Sequence, residues 1–511
     1  MVEITFISLL LIIIRFLKIK KSKRLSSYLN QGPWGDAITY LFLIQFFRNR
    51  SCGVPDERCL IGDDNVLVPS LYMKIVSRLF NDSTLIKYPW LPNFLIFVIS
   101  IPIAVTICEE LLVVLLPDYN VVYIALIIIS AVILFIFQID NWDVGYLRLH
   151  WWTLQPRFLV LVTNSIFWLV VLTYDDFKIS LIGCSIFSFI SLNTSIFARQ
   201  CTVFTIIIYT LLSGHYVPMF SLVLSFFLSC IIFPKEFWPS LKPQFLYAKM
   251  YFKNFYKPNR NCNSFTYIIK LIFVSSVTQL TRYPVFYISF FIYLYSYSSE
   301  SSMLVVGNEQ INYRIFCFLS TIFLISFTIS LRKFASLGES WRYISCTCYY
   351  IPFLLLPIHL VSYFNDIIIC TLFLTFILIY QLIIAEFGKK EEENFSKYLL
   401  NLLNEVGISK LKNAVWHSTP YRHGTFAVAY GFGKSTFEYQ YGNHTEELSE
   451  KYFSSFGVFL KNDFNFLIDN KVTHVLIDKS YEFDDSGMSR IPEISCTLLS
   501  QNNHFKIYKV N

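Results

Sequence analysis

The stretch LVVLLPDYNVVYIALIIISAVILFIF occupies residues 112–137, and Asp118 is its one charged residue. About 20 apolar residues suffice for a helix to cross the hydrocarbon core of a bilayer. Residues 353–384, FLLLPIHLVSYFNDIIICTLFLTFILIYQLII, repeat the pattern. Working outward, the whole chain shares the character. Its 511 residues are 55% hydrophobic and only 15% charged, with a mean hydropathy of +0.50. A soluble domain carries roughly a quarter charged residues. The shortfall is spread over most of the length, so the chain reads as a polytopic α-helical membrane protein.

Apolar runs predict helices near 2–17, 92–115, 119–138, 158–173, 179–196, 201–214, 216–233, 266–297, 312–331, 344–364 and 366–387, about eleven in all. The first run lacks a basic leader and a small-residue cleavage site, so it reads as a membrane helix rather than a removed signal peptide. Much of the net charge of +7 lies in KIKKSKR at 18–24 and YAKMYFKNFYKPNR at 247–260. Anionic headgroups are the natural partner of such juxtamembrane runs. No soluble basic domain points to nucleic acid.

Two domains are expected. Residues 1–387 form the transmembrane part, with a long first loop at 18–91; residues 388–511 form a small soluble α/β domain. In the latter, NAVWHST, TFAVAYGF, THVLIDKS and HFKIYKV read as strands, and NFSKYLLNLLNEVGI and YFSSFGVFLKNDFNFLIDN as helices.

Chemistry concentrates where the hydrophobic pattern breaks. In the first loop, GDAITYLFLIQFFRN places Ile38, Leu41, Phe42, Ile44 and Phe46 at helical spacing, as in a helix lying in the membrane interface with one face in lipid. Asp36 would open that helix, where a carboxylate caps free backbone N–H groups and meets the positive end of the dipole. The same geometry pins a carboxylate for catalysis. After a loop, Pro69 leads into a second amphipathic helix, VPSLYMKIVSRL. The junction FQIDNWDVGYLRLHWWTLQPRFLVLV, residues 137–162, crowds Asp140, Asp143, Arg148, His150 and Arg157 at a membrane edge. Acids and cations gathered there can bind phosphate, metal or sugar hydroxyls; the tryptophans alone would make an aromatic belt. Glu109 and Glu110 either end their helix early or serve a function inside the bilayer. In the C-terminal part, GFGKS lacks the glycine that a Walker A loop needs five positions earlier, where Val428 stands. A strand-turn pair is the plainer account.

A membrane helix, then GDAITYLFLIQFFRN, then VPSLYMKIVSRL resembles the GT-C integral-membrane glycosyltransferases, as does SIFARQCTVFTIIIYTLLSG in the middle of the chain. DNKVTHVLIDKS and the closing HFKIYKVN are similar to the extracytoplasmic α/β domain of bacterial oligosaccharyl- and mannosyltransferase-type members. The resemblance implies transfer of a sugar from a polyprenyl-phosphate-linked donor to a lipid, glycan or protein acceptor, at the outer face of a bacterial plasma membrane. It implies Asp36 as general base, with inversion at the anomeric carbon, and a second acid at Asp140 or Asp143. Arg148, Arg157, Arg199 and Arg282 are candidates by type for the lipid phosphate, and His417, Arg422 and His423 for an acceptor-side loop. A divalent ion, Mg or Mn, would fall to Asp36, Asp140 and Asp143, although Ala37 stands where metal-dependent members often carry a second acid. It also places the C-terminal domain outside, whereas the basic cluster at 18–24 argues for a cytoplasmic first loop. A lipid-linked polysaccharide polymerase and a secondary transporter or flippase are the alternatives. The transporter would call for internal repeats, and no 20–50-residue repeat stands out.

Overall fold

The computed structural model describes residues 36–51, 59–61, 69–115, 154, 156–241, 284–298, 309–330, 343–344, 395–419, 422–437, 471–479 and 496–511, with isolated positions between them. The helices expected near 2–17, 119–138, 344–364 and 366–387 lie outside this set almost entirely, as does the one expected at 452–470.

The chain is mostly helical. Five helices are long and apolar enough to cross a membrane: α4 (Leu91–Leu115), α5 (Pro156–Thr173), α6 (Phe177–Thr194), α7 (Ile196–Ser213) and α10 (Glu309–Ser330). Between the last two come the shorter α8 (Val217–Ile232) and α9 (Pro284–Ser298). α4 runs unbroken through Glu109 and Glu110, so these acids do not end it early. Ile179, Ile182 and Ile186 on α6, and Val223, Phe227 and Ile231 on α8, point outward and exposed. The inward faces of the same two helices are lined with serine. Ser188 and Ser225 hydroxyls meet at 2.5 Å, Ser225 donates to the Ser185 carbonyl at 2.8 Å, and Asn193 Nδ2 donates to Ser229 Oγ at 2.7 Å. Small polar seams of this kind let helices approach closely in lipid, where burying apolar surface supplies no driving force between them.

The second body is built from both ends of the sequence. From the first loop come α1 (Asp36–Ser51), β1 (Cys59–Ile61), α2 (Leu71–Leu79) and α3 (Asp82–Lys87). From the C-terminal part come α11 (Phe395–Val406), α12 (Ile408–Leu411), β2 (Val415–Thr419), α13 (Arg422–Ala429), β3 (Lys434–Phe437), β4 (His474–Asp478), β5 (Cys496–Gln501) and β6 (Phe505–Val510). One six-stranded sheet runs in the order β1-β3-β2-β4-β6-β5. β1, β3, β2 and β4 are mutually parallel, and β6 and β5 add on antiparallel. The first loop therefore supplies an edge strand, Cys59 pairing with Ser435.

Two expectations are corrected here. α1 is not an interfacial helix with one face in lipid. Ile38, Leu41, Phe42, Leu43, Ile44, Phe46 and Phe47 are all buried, within one core that includes Leu402, Trp416 and Phe426. A helix apolar all round belongs inside protein. The segment TFAVAYGF is not a strand: residues 422–429 are helix α13, packed between α1 and strands β2 and β3. Gly424 N–H donates to Ser418 Oγ at 2.7 Å in its first turn. After α13 the chain turns back through Gly431 (φ 87°) and Gly433 (φ 80°) into β3, so GFGKS joins a helix to a strand, not the strand-turn pair expected.

The first loop and the C-terminal part thus contribute strands to a common sheet and side chains to a common core.

Candidate functional site

The bundle meets the shared body at the ends of α6, α7 and α8 nearest α2. α4 is anchored there by Tyr72, whose hydroxyl donates to Asn93 Oδ1 at 2.8 Å with both groups buried. Burial pushes the Tyr72 phenol far above its ordinary value. α1 is tied to the same layer by Arg48, whose guanidinium pairs with Asp82 and donates to the Ser77 carbonyl at 3.2 Å.

At this junction Pro69, Ser70, Leu71, Asn193, Arg199, Phe233, Glu236 and Phe237 line a recess. Arg199 sits in the first turn of α7 and is 4% exposed. Its Nε donates to the Leu192 carbonyl at 3.1 Å and its Nη1 to Ser240 Oγ at 3.0 Å; the guanidinium lies 4.5 Å from the Phe237 ring centre. Nη2 is buried with no hydrogen-bond partner. A cation in the first turn of a helix faces the positive end of the macrodipole, which costs about 0.3–1 kcal/mol. Leaving one of its donors unserved inside protein adds to that. The Phe237 ring and two hydrogen bonds hold the guanidinium, but the dipole opposes it and one donor is left over, which an anion would serve.

Opposite Arg199, Glu236 lies in the turn that follows α8. It accepts from Ser70 Oγ and pairs with Lys74 Nζ. Lys74 also stands 5.1 Å from the Phe233 ring centre and 5.9 Å from that of Phe47, a residue of α1. Ser70 occupies the N-cap position of α2 but makes no side-chain cap.

Of the residues expected from sequence, Arg199 is the one whose side chain is placed in this recess. Asp36 is the first residue of α1, as its sequence context predicted, and its side chain lies outside the described ones. Asp140, Asp143, Arg148 and Arg282 also lie outside them, so the convergence of two acids is not displayed. Arg157 lies half-buried in the first turn of α5. His417 is buried in β2 and His423 in α13, where its Nε2 lies 3.3 Å from the buried Asp478 Oδ2. Both imidazoles thus belong to strand and helix rather than to an open loop; the Arg422 side chain is not described. Among the described residues no three His, Cys, Asp or Glu gather as metal donors.

Lys74, Ser70, Asn193 and Glu236 were not singled out from sequence. The available signal was thin: Glu236 is the lone acid of a basic, aromatic interruption after residue 233, and Lys74 interrupts the apolar VPSLYMKIV.

No protein-family model matches the chain, and no curated protein is detectably similar to it.

Proposed function

We propose that the protein is a membrane glycosyltransferase that moves a sugar from a polyprenyl-phosphate donor to a lipid, glycan or protein acceptor. Asp36 acts as general base, and Arg199 holds the lipid phosphate. The observation that carries this reading is the Arg199 guanidinium, buried at the mouth of the bundle with an unserved donor. Guanidinium donors match phosphate oxygens in geometry and charge.

The steps follow from that placement. The polyprenyl tail would lie along the bundle and its phosphate would reach Arg199. The acceptor hydroxyl gives its proton to the Asp36 carboxylate as its oxygen attacks the anomeric carbon. The glycosidic C–O bond to phosphate breaks, and the electron pair stays on the phosphate, where Arg199 stabilises the growing charge. The transition state is oxocarbenium-like. A single displacement inverts the anomeric centre. A divalent ion, Mg or Mn, if bound, would fall to Asp36 with Asp140 or Asp143.

The test is release of polyprenyl phosphate from a polyprenyl-phosphate sugar by the purified full chain in lipid nanodiscs. Asp36→Asn should lower turnover about 10²–10⁴-fold with folding retained. Arg199→Gln should lower it also, chiefly through donor binding. Turnover unchanged in both variants, or no release by the parent protein with any lipid-linked sugar, would refute the assignment.

A further inference from the structure

Resting on the reading of Arg199 as a phosphate ligand, we propose that Glu236 is a resident stand-in for that phosphate. The site is a three-pronged anion cradle of Lys74, Ser70 and Arg199, which the incoming lipid phosphate occupies by displacing the Glu236 carboxylate.

Three observations lead there. Glu236 uses both its oxygens as a phosphate would, one on the Ser70 hydroxyl and one on the Lys74 ammonium. It sits before the N-terminus of α2, whose first turn holds no acid of its own and whose cap residue has turned its hydroxyl to Glu236 instead. Backbone N–H groups at such an end favour an anion. Yet Glu236 makes no hydrogen bond or ion pair with Arg199, which lines the same recess with Nη2 unserved. The one carboxylate thus serves Lys74 and leaves Arg199 unserved. A phosphate has more acceptor oxygens to offer, and once the sugar has left it can carry a second charge.

Glu236 already occupies the Ser70 hydroxyl and the Lys74 ammonium. A phosphate gains those two donors only where the Glu236 carboxylate leaves them. Glu236 is the one to go, because it lies in a turn after α8 rather than within a helix. Lys74 stays in position once unpaired, held over the Phe233 and Phe47 rings. Phe47 belongs to the helix that Asp36 opens, so filling the cradle bears on the element that carries the general base.

The exchange makes Glu236 a built-in competitor that sets donor affinity and speeds departure of the polyprenyl phosphate product. The test measures binding of a polyprenyl monophosphate, against the matching phosphate-free polyprenol, to the full chain in nanodiscs. Glu236→Gln should bind the phosphate about tenfold tighter, because a neutral amide competes less for Lys74. Lys74→Gln and Arg199→Gln should each weaken it about tenfold, with polyprenol binding unchanged. Glu236→Ala, smaller and equally uncharged, serves as the second variant and should also tighten binding. Unchanged or weaker phosphate binding in folded Glu236→Gln and Glu236→Ala, while Arg199→Gln still weakens it, would overturn the stand-in and leave the phosphate site intact. A parent protein that binds polyprenol and its phosphate equally would remove the phosphate site itself.

Discussion

Gln45 Nε2 donates to the carbonyl of Ala429 at 3.2 Å, both residues buried, across 384 positions of sequence. The bond ties α1 to the end of α13. It identifies the first loop and the C-terminal part as one folded body with a common core.

Truncating that core should be felt at both ends of the chain. Leu41 is wholly buried within it. Leu41→Ala should lower the stability of the shared body by about 2–5 kcal/mol. Limited proteolysis should then cut the first loop and residues 395–511 together, at the same denaturant concentration. Cutting of the first loop alone would mean two independent units.

The serine seam makes a second prediction. Ser225 faces Ser188 and Ser185 across the gap between α6 and α8. Ser225→Ala should cost little, about 0.6 kcal/mol. Ser225→Leu should force the helices apart at about 1–3 kcal/mol. Thermal unfolding in detergent should rank the parent and the Ala variant close together, with the Leu variant well below.

The two glycines after α13 should respond unequally. Both have positive φ, so any side chain strains the backbone by about 1–2 kcal/mol. A Cβ on Gly431 would meet nothing within 4 Å, whereas one on Gly433 would lie 2.2 Å from the Ala414 carbonyl oxygen. Gly431→Ala should therefore fold with only the strain penalty. Gly433→Ala should separate β3 from the Ala414 carbonyl that accepts from Lys434 N–H at 2.7 Å, and lose more stability than its neighbour. Melting temperatures of the two variants compare them directly.

Low pH should destabilise the protein through two histidines. Burial, and then the Lys509 charge, hold His474 below its ordinary value of 6.5. His215, in the turn between α7 and α8, is lowered to about 4 by burial and then by Arg314, against the opposing pull of Asp175. A depressed histidine stays neutral in the folded state while the unfolded chain takes up a proton. Stability is therefore full above about pH 6.5 and falls as pH drops toward each folded value. His215→Gln should flatten the decline in melting temperature between pH 6.5 and about 4, and His474→Gln the decline that begins below pH 6.5. A decline as steep in both variants as in the parent would place the acid sensitivity elsewhere.

The five long spans were legible because hydropathy is a property of composition, and each became a helix within about five residues of its expected ends; of the run expected at 266–297, the described part is helix from Pro284 to Ser298. α1 was misread for a physical reason. Ile38, Leu41, Phe42, Ile44 and Phe46 do fall at helical spacing, but Leu43 and Phe47 fill the rest of the circumference, which marks a core helix. TFAVAYGF is rich in β-formers, and a short apolar run does not distinguish a strand from a buried helix. β1 is only three residues long, and nothing local announces a partner near residue 435. The serines of α8, at 221, 225 and 229, stand four residues apart and are buried, a spacing that was not singled out from the sequence. Arg199 was found by residue type alone. Glu236 was not, because its meaning comes from Lys74, 162 positions earlier.

The pairing of Cys59 with Ser435 also sets a clock on biosynthesis. At roughly 5–20 residues per second, the ribosome needs about 20–75 s to make the 376 residues between these partners (435 − 59). Throughout that interval the nascent first loop presents an unmated strand and the greasy surface of α1, while helix after helix enters the bilayer. A holding chaperone on that face of the membrane, or shelter against the insertion machinery, is the requirement that the architecture imposes on the cell.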